Sequence, residues 1–210
     1  MINLDAITRA ETAVEPFQFF AASSVLSKSD LAAIASDFPR IEKPGIFPLS
    51  ELEYGPAFAR LVEDIRSPEL AKAVGDKYGV DLTGLPVMIT VRGQAQAKDG
   101  RIHTDTEDKV VTCLLYLNDD SWDNSGGRLR LLRSGDSLDD YLVEIPPNGG
   151  AFASFKVAKN SWHGHKPFVG QRRYVMFNWV KSEAALTRQL GRHKFSARVK
   201  KLIPFFYKGT

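Results

Sequence analysis

The sequence predicts a mainly β fold, a sandwich or barrel with flanking helices, formed as a single domain of 210 residues. Short apolar segments with turn-rich connections occupy the second half of the chain, as in all-β domains. The first third carries apolar residues at helical spacing. No repeat or linker divides the chain, and its length suits one domain. We therefore expect a helical support region over 1–85, a β core over 86–181 and a basic helical tail over 182–210.

The N-terminal region is expected to contain one strand and three helices. The first three of these elements are a strand over 17–21, a helix that begins after Ser29 and ends at Pro39, and a helix over 57–65. The third helix has the clearest ends. Ser67 is a suitable N-cap, Pro68 suits the first helical position, and Gly79 is typical of a helix C-terminus.

Six segments in the second half predict β-strands, because they are short, apolar and rich in β-branched and aromatic residues. Glycine-containing turns at 124–127 and 146–150 separate several of them. The segments are 87–92, 110–117, 128–133, 141–145, 150–155 and 173–180. We expect the early helices to pack outside the sheets that these strands form.

The C-terminal tail is basic, with seven Lys and Arg and no acidic residue after position 183. Such a tail can contact nucleic acid or an anionic surface. A solvated face on a closing helix is the simpler interpretation, so nucleic acid is not an expected partner. The tail should contain one helix capped by Ser182 and ended by Gly191, and a second, short helix that begins near Ser196.

The composition indicates a cytoplasmic protein. Cys113 is the single cysteine, so no internal disulfide can form, which suits a reducing compartment. No run approaches the ~20 apolar residues of a membrane span. The first residues lack the basic and apolar regions of a secretory signal. The oligomeric state is not indicated.

Three residues have the types and spacing of a metal site. His103 and Asp105 are two apart in RIHTDTEDK, and an extended segment places both on one face. His163, in NSWHGHKPF, offers a second imidazole. Two imidazoles and a carboxylate leave other positions of an ion open, as in non-haem iron(II) oxygenases. His165 is the alternative second imidazole, and His193 is expected to be solvated in the basic tail.

A resemblance to a known family is carried by two segments, HTDTEDKVVTCLLYLNDDSWDNSGGRLRLL and WHGHKPFVGQRRYVMFNWV. Together they resemble the catalytic half of the prolyl-hydroxylase-like Fe(II)- and 2-oxoglutarate-dependent dioxygenases, over residues 86–181. The resemblance implies a double-stranded β-helix (jelly-roll or cupin-like) with N-terminal support helices. It implies Fe(II) held by His103, Asp105 and His163, 2-oxoglutarate and O2 as co-substrates, ascorbate as an optional addition, and hydroxylation with release of succinate and CO2.

The resemblance also implies roles around the metal. Arg173 lies ten residues after His163 and six before Trp179, as does the family residue that pairs with the far carboxylate of 2-oxoglutarate. Arg172 is the alternative, and only one of the two arginines can point inward on a strand. Tyr116 matches the residue whose phenol binds the same carboxylate. The residues expected to line the pocket are Leu114, Leu129 and Trp179.

The segment before HxD departs from the family pattern, because prolyl hydroxylases of protein substrates carry tyrosines there. Here it is RGQAQAKDGRI, in which Gln94, Gln96 and Arg101 are the candidate substrate contacts. The substrate is therefore a peptidyl side chain or a small polar molecule. Two other functions are considered. One is a non-redox cupin-like metal-binding module, which has no need of an inward arginine. The other is a nucleic-acid adaptor or repair dioxygenase, whose basic tail would need interspersed aromatic residues.

Overall fold

The computed structural model describes residues 1–191, so the second tail helix and His193 lie outside the described residues. The helices are α1 (Leu4–Arg9), α2 (Lys28–Ser36), α3 (Pro56–Ile65) and α4 (Pro68–Tyr78), with a 3₁₀ turn at Leu49–Glu51. The strands are β1 (Thr12–Ala13), β2 (Phe19–Ala22), β3 (Phe47–Pro48), β4 (Val87–Ala95), β5 (Lys109–Tyr116), β6 (Leu129–Leu132), β7 (Tyr141–Ile145), β8 (Phe152–Lys156), β9 (His163–Gly164) and β10 (Gly170–Val180).

Two antiparallel sheets form the core. The major sheet has seven strands in the order β1-β2-β8-β5-β10-β4-β3, and the minor sheet has three in the order β7-β6-β9. Apolar side chains from β5, β8 and β10 meet side chains from β6 and β7 in one buried cluster, so the space between the sheets is an interior. The predicted mainly β fold with flanking helices is therefore confirmed.

Side chains alternate between two environments along the central strands, because successive strand residues point to opposite faces. On β5, Leu114 and Tyr116 lie between the sheets, whereas Cys113 and Leu115 belong to the core beneath the helices. On β10, the odd-numbered residues of 175–179 lie beneath the helices. Residues of even number on both strands therefore face the interior in which a site can form.

The helices cover the outer face of the major sheet. The buried side of α3 includes Phe58, Leu61 and Ile65, and these residues belong to the same core as Phe177 of β10. Leu70 of α4 joins the same cluster. The helices thus support the sheet from outside and leave the opposite face free for polar side chains.

The predicted ends of α4 are confirmed. The Ser67 hydroxyl accepts a hydrogen bond from the Leu70 amide at 3.2 Å, and Gly79 has the left-handed φ of 62° that favours glycine. By contrast, α2 begins earlier than predicted, because Ser27 rather than Ser29 is its N-cap. Ser27 accepts from the Asp30 amide at 3.1 Å.

A C-terminal helix begins at residue 183 and continues to 191, the last described residue. Its predicted cap is present, since the Ser182 hydroxyl accepts from the Ala185 amide at 3.2 Å. Within residues 1–191, the structure contains no helix with the length and apolar character needed to cross a membrane.

Candidate metal centre

Backbone pairing brings two histidines side by side. The His103 amide donates to the His163 carbonyl at 3.1 Å, and the His163 amide donates to the His103 carbonyl at 3.0 Å. Directly opposed residues in an antiparallel pair send their side chains to the same face. The two imidazole rings accordingly lie 4.2 Å apart between centroids. The two histidines are sixty residues apart in the sequence, and one pair of reciprocal backbone hydrogen bonds holds them next to each other.

Both imidazoles are oriented by backbone carbonyls. Nδ1 of His103 lies 2.9 Å from the Arg101 carbonyl, and Nδ1 of His163 lies 3.0 Å from the Ser161 carbonyl. A carbonyl oxygen only accepts, so each Nδ1 must carry the proton. The lone pair of each neutral ring is then on Nε2, which is the arrangement of metal-binding histidines.

Asp105 completes a cluster in which one ligand atom from each of His103, Asp105 and His163 lies within 4.8 Å of the others. The carboxylate is held on both oxygens. Oδ1 accepts from Lys109 Nζ at 2.8 Å and Oδ2 accepts from the Thr112 hydroxyl at 2.5 Å. These two donors fix the carboxylate plane relative to the imidazoles.

The protonation states of the cluster suit metal ligation. Burial would raise the pKa of Asp105, but Lys109 and His163 nearby and the hydrogen bond from Thr112 hold it well below its usual range. Burial lowers the pKa of His163 to about 4. At neutral pH the site therefore offers an ionised carboxylate and a neutral imidazole, which are the forms that bind metals. Two nitrogen donors and one carboxylate on one side of an ion fit iron(II) with positions left open.

A cavity of about 220 Å³ adjoins this cluster. Leu114 and Leu129 line it, as predicted, together with Met176. Arg172 and Tyr174 of β10 also line it. The cavity is thus lined by the metal-type cluster, by apolar side chains and by the Arg172 cation.

Arg172 is the arginine that points into the cavity. It is 2% exposed. Its Nε donates to the Gly127 carbonyl at 2.7 Å and its Nη2 donates to the Tyr116 hydroxyl at 3.3 Å. Within residues 1–191, no carboxylate forms a salt bridge with it. A buried guanidinium with only neutral partners is ready to receive an anion.

Arg173 lies on the opposite face of β10, which reverses the orientation preferred from the sequence. Its guanidinium stacks over the Phe38 ring, 4.9 Å from the centroid. Trp179 is also outside the cavity, buried in the core beneath the helices. Arg173 and Trp179 lie outside the cavity, against the prediction, for the same reason. Residues 173 and 179 have the same parity on a strand, so both point to the helix-covered face.

Tyr116 is fully buried beside Arg172. Burial raises the pKa of its phenol to about 12, although the Arg172 charge opposes the rise. The phenol is therefore protonated at neutral pH and can donate a hydrogen bond while it accepts one from Arg172. Its ring packs edge-on against Tyr174, with centroids 5.9 Å apart.

The three residues considered for substrate contact do not line this cavity. Gln94 lines a separate groove beside Arg173. The backbone amide of Gln96 donates a hydrogen bond to Asp99 Oδ2 at 3.0 Å. Arg101 is exposed and contributes only its carbonyl, which orients His103. Gln94 lies near the end of β4, and the turn after β4 carries Gln96 and Arg101 away.

His165 lines the cavity but is not part of the metal-type cluster of the described residues. Burial and, to a smaller extent, the nearby Arg172 charge lower its pKa to about 4. Gly100 packs on its ring: φ there is +84°, and a Cβ would lie 2.4 Å from the His165 Nδ1. Only glycine fits this position, which fixes the loop that leads to His103.

Two polar groups of the site were missed in the sequence. Arg92 of β4 lines the cavity and forms a buried ion pair with Asp99, and its Nε donates to the Tyr174 hydroxyl at 3.0 Å. Thr112 links Asp105 to Asn178, whose amide donates to the Thr112 hydroxyl at 2.7 Å. The sequence signal for Thr112 was strand parity, since Thr112 lies two residues before the predicted pocket residue Leu114 and so points to the same face.

Comparisons with known proteins agree with this geometry. The sequence model of the 2OG-Fe(II) oxygenase superfamily matches residues 92–181. A prolyl-4-hydroxylase from Pseudomonas putida superposes with a TM-score of 0.59 at 17% identity, covering 85% of this chain and 99% of that one. A prolyl 4-hydroxylase from Phytophthora capsici gives 0.56 at 13% identity, covering 95% and 73%.

HygX from Streptomyces hygroscopicus, solved with iron bound, superposes with a TM-score of 0.54 at 15% identity, covering 78% of this chain and 82% of that one. No protein among the curated sequences matches the chain. The match over 92–181 identifies the β core as a 2OG-Fe(II) oxygenase domain with the double-stranded β-helix fold. The match over these residues, the fold and the His-Asp-His cluster support a 2-oxoglutarate-dependent dioxygenase with Fe(II) as its metal, as the sequence predicts.

Proposed function

We propose that the protein hydroxylates a C–H bond of its substrate while 2-oxoglutarate and O2 are converted to succinate and CO2. In this proposal His103, Asp105 and His163 bind Fe(II). Arg172 binds the far carboxylate of 2-oxoglutarate, and Tyr116 assists it. The observation that carries the proposal is a buried arginine without a carboxylate partner, in the same cavity as a His-Asp-His cluster.

The argument for Arg172 is energetic. Burial of a charged group costs several kcal/mol unless a partner compensates. The Gly127 carbonyl and the Tyr116 hydroxyl supply neutral partners only. A carboxylate engages a guanidinium through two parallel hydrogen bonds and neutralises it. A dicarboxylate that reaches from the metal to Arg172 satisfies both ends of the cavity at once.

Tyr116 and the apolar side chains have distinct tasks. The neutral phenol donates to the same carboxylate, since its pKa is raised to about 12. Leu114, Leu129 and Met176 line the intervening space and keep water from the reacting groups. Bound Fe(II) supplies the oxidising chemistry of the reaction, and the protein supplies binding, orientation and a dry cavity.

A peptidyl side chain is the substrate class that we favour over a small polar molecule. Two of the structural relatives are prolyl 4-hydroxylases, and an open groove beside the cluster offers room for a chain. Gln94, Gln96 and Arg101 are not proposed as substrate contacts, because none of them lines the cavity.

The test is formation of succinate from 2-oxoglutarate with Fe(II) and O2, measured with and without candidate peptides. Turnover should require all three components, and His103→Ala should abolish both turnover and metal-dependent binding of 2-oxoglutarate. Metal binding by the unaltered protein without any succinate formation would instead favour the non-redox metal-binding module. Full turnover in His103→Ala would refute the assignment of the cluster.

A further inference from the structure

A second groove lies directly beside the metal-type cluster. It has a volume of about 450 Å³ and shares Asp105 and Lys109 with the cavity described above. A molecule in this groove would therefore adjoin the candidate metal ligands. The residues that line it are Thr104, Asp105, Glu107, Lys109, Val110, Lys156, Val157, Ala158, Lys159 and Lys181.

The groove is lined by four lysines but only two carboxylates. Lys109 is occupied by Asp105 at 2.8 Å, and the Lys156 ammonium lies 3.4 Å from the Tyr78 carbonyl. Lys159 and Lys181 are exposed, and the described part of the chain gives neither of them a carboxylate partner. Two cations are thus available to a bound anion.

We propose that this groove binds an acidic segment of a peptide substrate and thereby places a neighbouring side chain of that peptide in the cavity beside His103. The substrate class rests on the proposed function, whereas the binding of acidic peptide does not. Lys159 and Lys181 would contact carboxylates of the peptide. The apolar part of the groove, Val110, Val157 and Ala158, would contact its backbone and aliphatic side chains.

The composition of the groove favours an acidic peptide over other anions. It contains no aromatic residue among those that line it, and base stacking is a main source of affinity for single-stranded nucleic acid. It also contains no arginine, whose guanidinium binds a phosphate through two parallel hydrogen bonds. The lysines lie on different segments, namely β5, β8, the turn after β8 and the residue that follows β10. This spread suits several separate carboxylates.

The binding test uses the unaltered protein and a fluorescein-labelled Glu-rich peptide with one central proline. The comparison ligands are the same peptide with Gln for Glu and a labelled single-stranded oligonucleotide. Fluorescence anisotropy at low and high salt gives each Kd. The acidic peptide should bind, more weakly at high salt because exposed charges are screened, and the Gln peptide should bind much less well.

The variant Lys159→Glu/Lys181→Glu should raise the Kd of the acidic peptide by about tenfold or more, equivalent to about 1.4 kcal/mol. The milder Lys159→Gln/Lys181→Gln should give a smaller rise, and it serves if charge reversal impairs folding. The matched control is Lys28→Glu/Lys72→Glu, which makes the same change of net charge at exposed lysines outside the groove. Its Kd should be close to that of the unaltered protein.

Several outcomes would overturn the proposal. These are no binding of acidic peptide, equal losses in the groove and control variants, or tighter binding of the oligonucleotide through the same lysines. Succinate formation is measured separately on the unaltered protein. Peptide binding without succinate would refute the proposed function and leave the groove assignment intact. Succinate formation without peptide binding would refute the groove assignment alone.

Discussion

Arg172 donates a hydrogen bond to the Tyr116 hydroxyl across 3.3 Å, and both side chains are buried, with Arg172 in the wall of the cavity beside the metal-type cluster. The pair combines a permanent cation with a neutral phenol that can donate. Because Tyr116 and Tyr174 face each other on adjacent strands, the position of the pair is set by the sheet register. An anion at this wall would meet preorganised donors rather than mobile side chains.

Arg172→Gln should weaken the use of 2-oxoglutarate sharply. Loss of a charge-assisted hydrogen-bonded pair costs about 2 kcal/mol, so we expect a rise in the KM for 2-oxoglutarate of about thirtyfold. Steady-state succinate formation over a range of 2-oxoglutarate concentrations measures this effect. Direct 2-oxoglutarate binding in the presence of Fe(II) separates a change in affinity from a change in turnover.

Arg173→Gln is the matched control for that experiment. Its guanidinium stacks on Phe38 on the other face of the strand, so the KM should change by less than about twofold. A large rise in this variant, with little change in Arg172→Gln, would contradict the anchor proposed here. It would instead support Arg173 as the anchor, which is the residue that the sequence spacing favoured.

The strand parity shows what the sequence could and could not predict at this site. The two-residue spacing of His103 and Asp105, together with the family resemblance for His163, predicted the group that the structure brings together. Spacing favoured Arg173 over Arg172, whereas Arg172 is the one that lines the cavity. That choice depends on which face of β10 the helices cover, and the register of β10 against β4 also shifts between residues 171 and 174.

Short elements were beyond the reach of a periodic pattern. The strands β1, β3 and β9 have two residues each, and two residues define no period. The pairing of β9 is nevertheless what places His163 opposite His103. Likewise, the lysine groove joins residues from segments far apart in the chain, so its charge is not visible in any local composition.

Thr112→Val should reduce the affinity for Fe(II). The change keeps the shape of the side chain but removes the hydroxyl that donates to Asp105 at 2.5 Å. Groups that orient metal ligands typically contribute about 10- to 100-fold in metal affinity. We expect a loss of about tenfold, measured by anaerobic titration with Fe(II) or by the absorption of bound Co(II).

The control is Thr90→Val, at another buried threonine of the major sheet. Its hydroxyl donates to the Met176 carbonyl at 3.3 Å and does not contact the cluster. Metal affinity should be nearly unchanged in this variant. Equal losses in both would mean that the effect arises from packing and not from the hydrogen bond to Asp105.

Asp99→Asn should destabilise the fold. Asp99 pairs with Arg92, and the side chains are 13% and 8% exposed. Removal of one member of a buried pair leaves an uncompensated charge and costs about 3 kcal/mol. Urea unfolding should show this loss, whereas Asp76→Asn, which breaks an exposed pair with Lys72, should cost less than about 1 kcal/mol. Similar small losses in both variants would show that Arg92 finds another partner.

The buried thiol and phenols should make the protein sensitive to alkali. Burial raises the pKa of Cys113 and of Tyr78 above their ordinary values of 9.0 and 10.0, and raises that of Tyr116 to about 12. Above these ordinary values the unfolded chain releases protons that the folded chain retains, so stability is present below them and falls as pH rises. Between about pH 8 and pH 10.5 we expect a loss on the order of 3 kcal/mol.

Urea unfolding at several pH values measures this loss, and Cys113→Ala isolates the part due to the thiol. Because Cys113 is fully buried, a thiol reagent should react with the folded protein only as it unfolds. Reaction should therefore accelerate in the pH range in which stability falls. Rapid labelling at neutral pH without urea, or a Cys113→Ala variant with the same alkaline loss, would show that the buried thiol does not cause the effect.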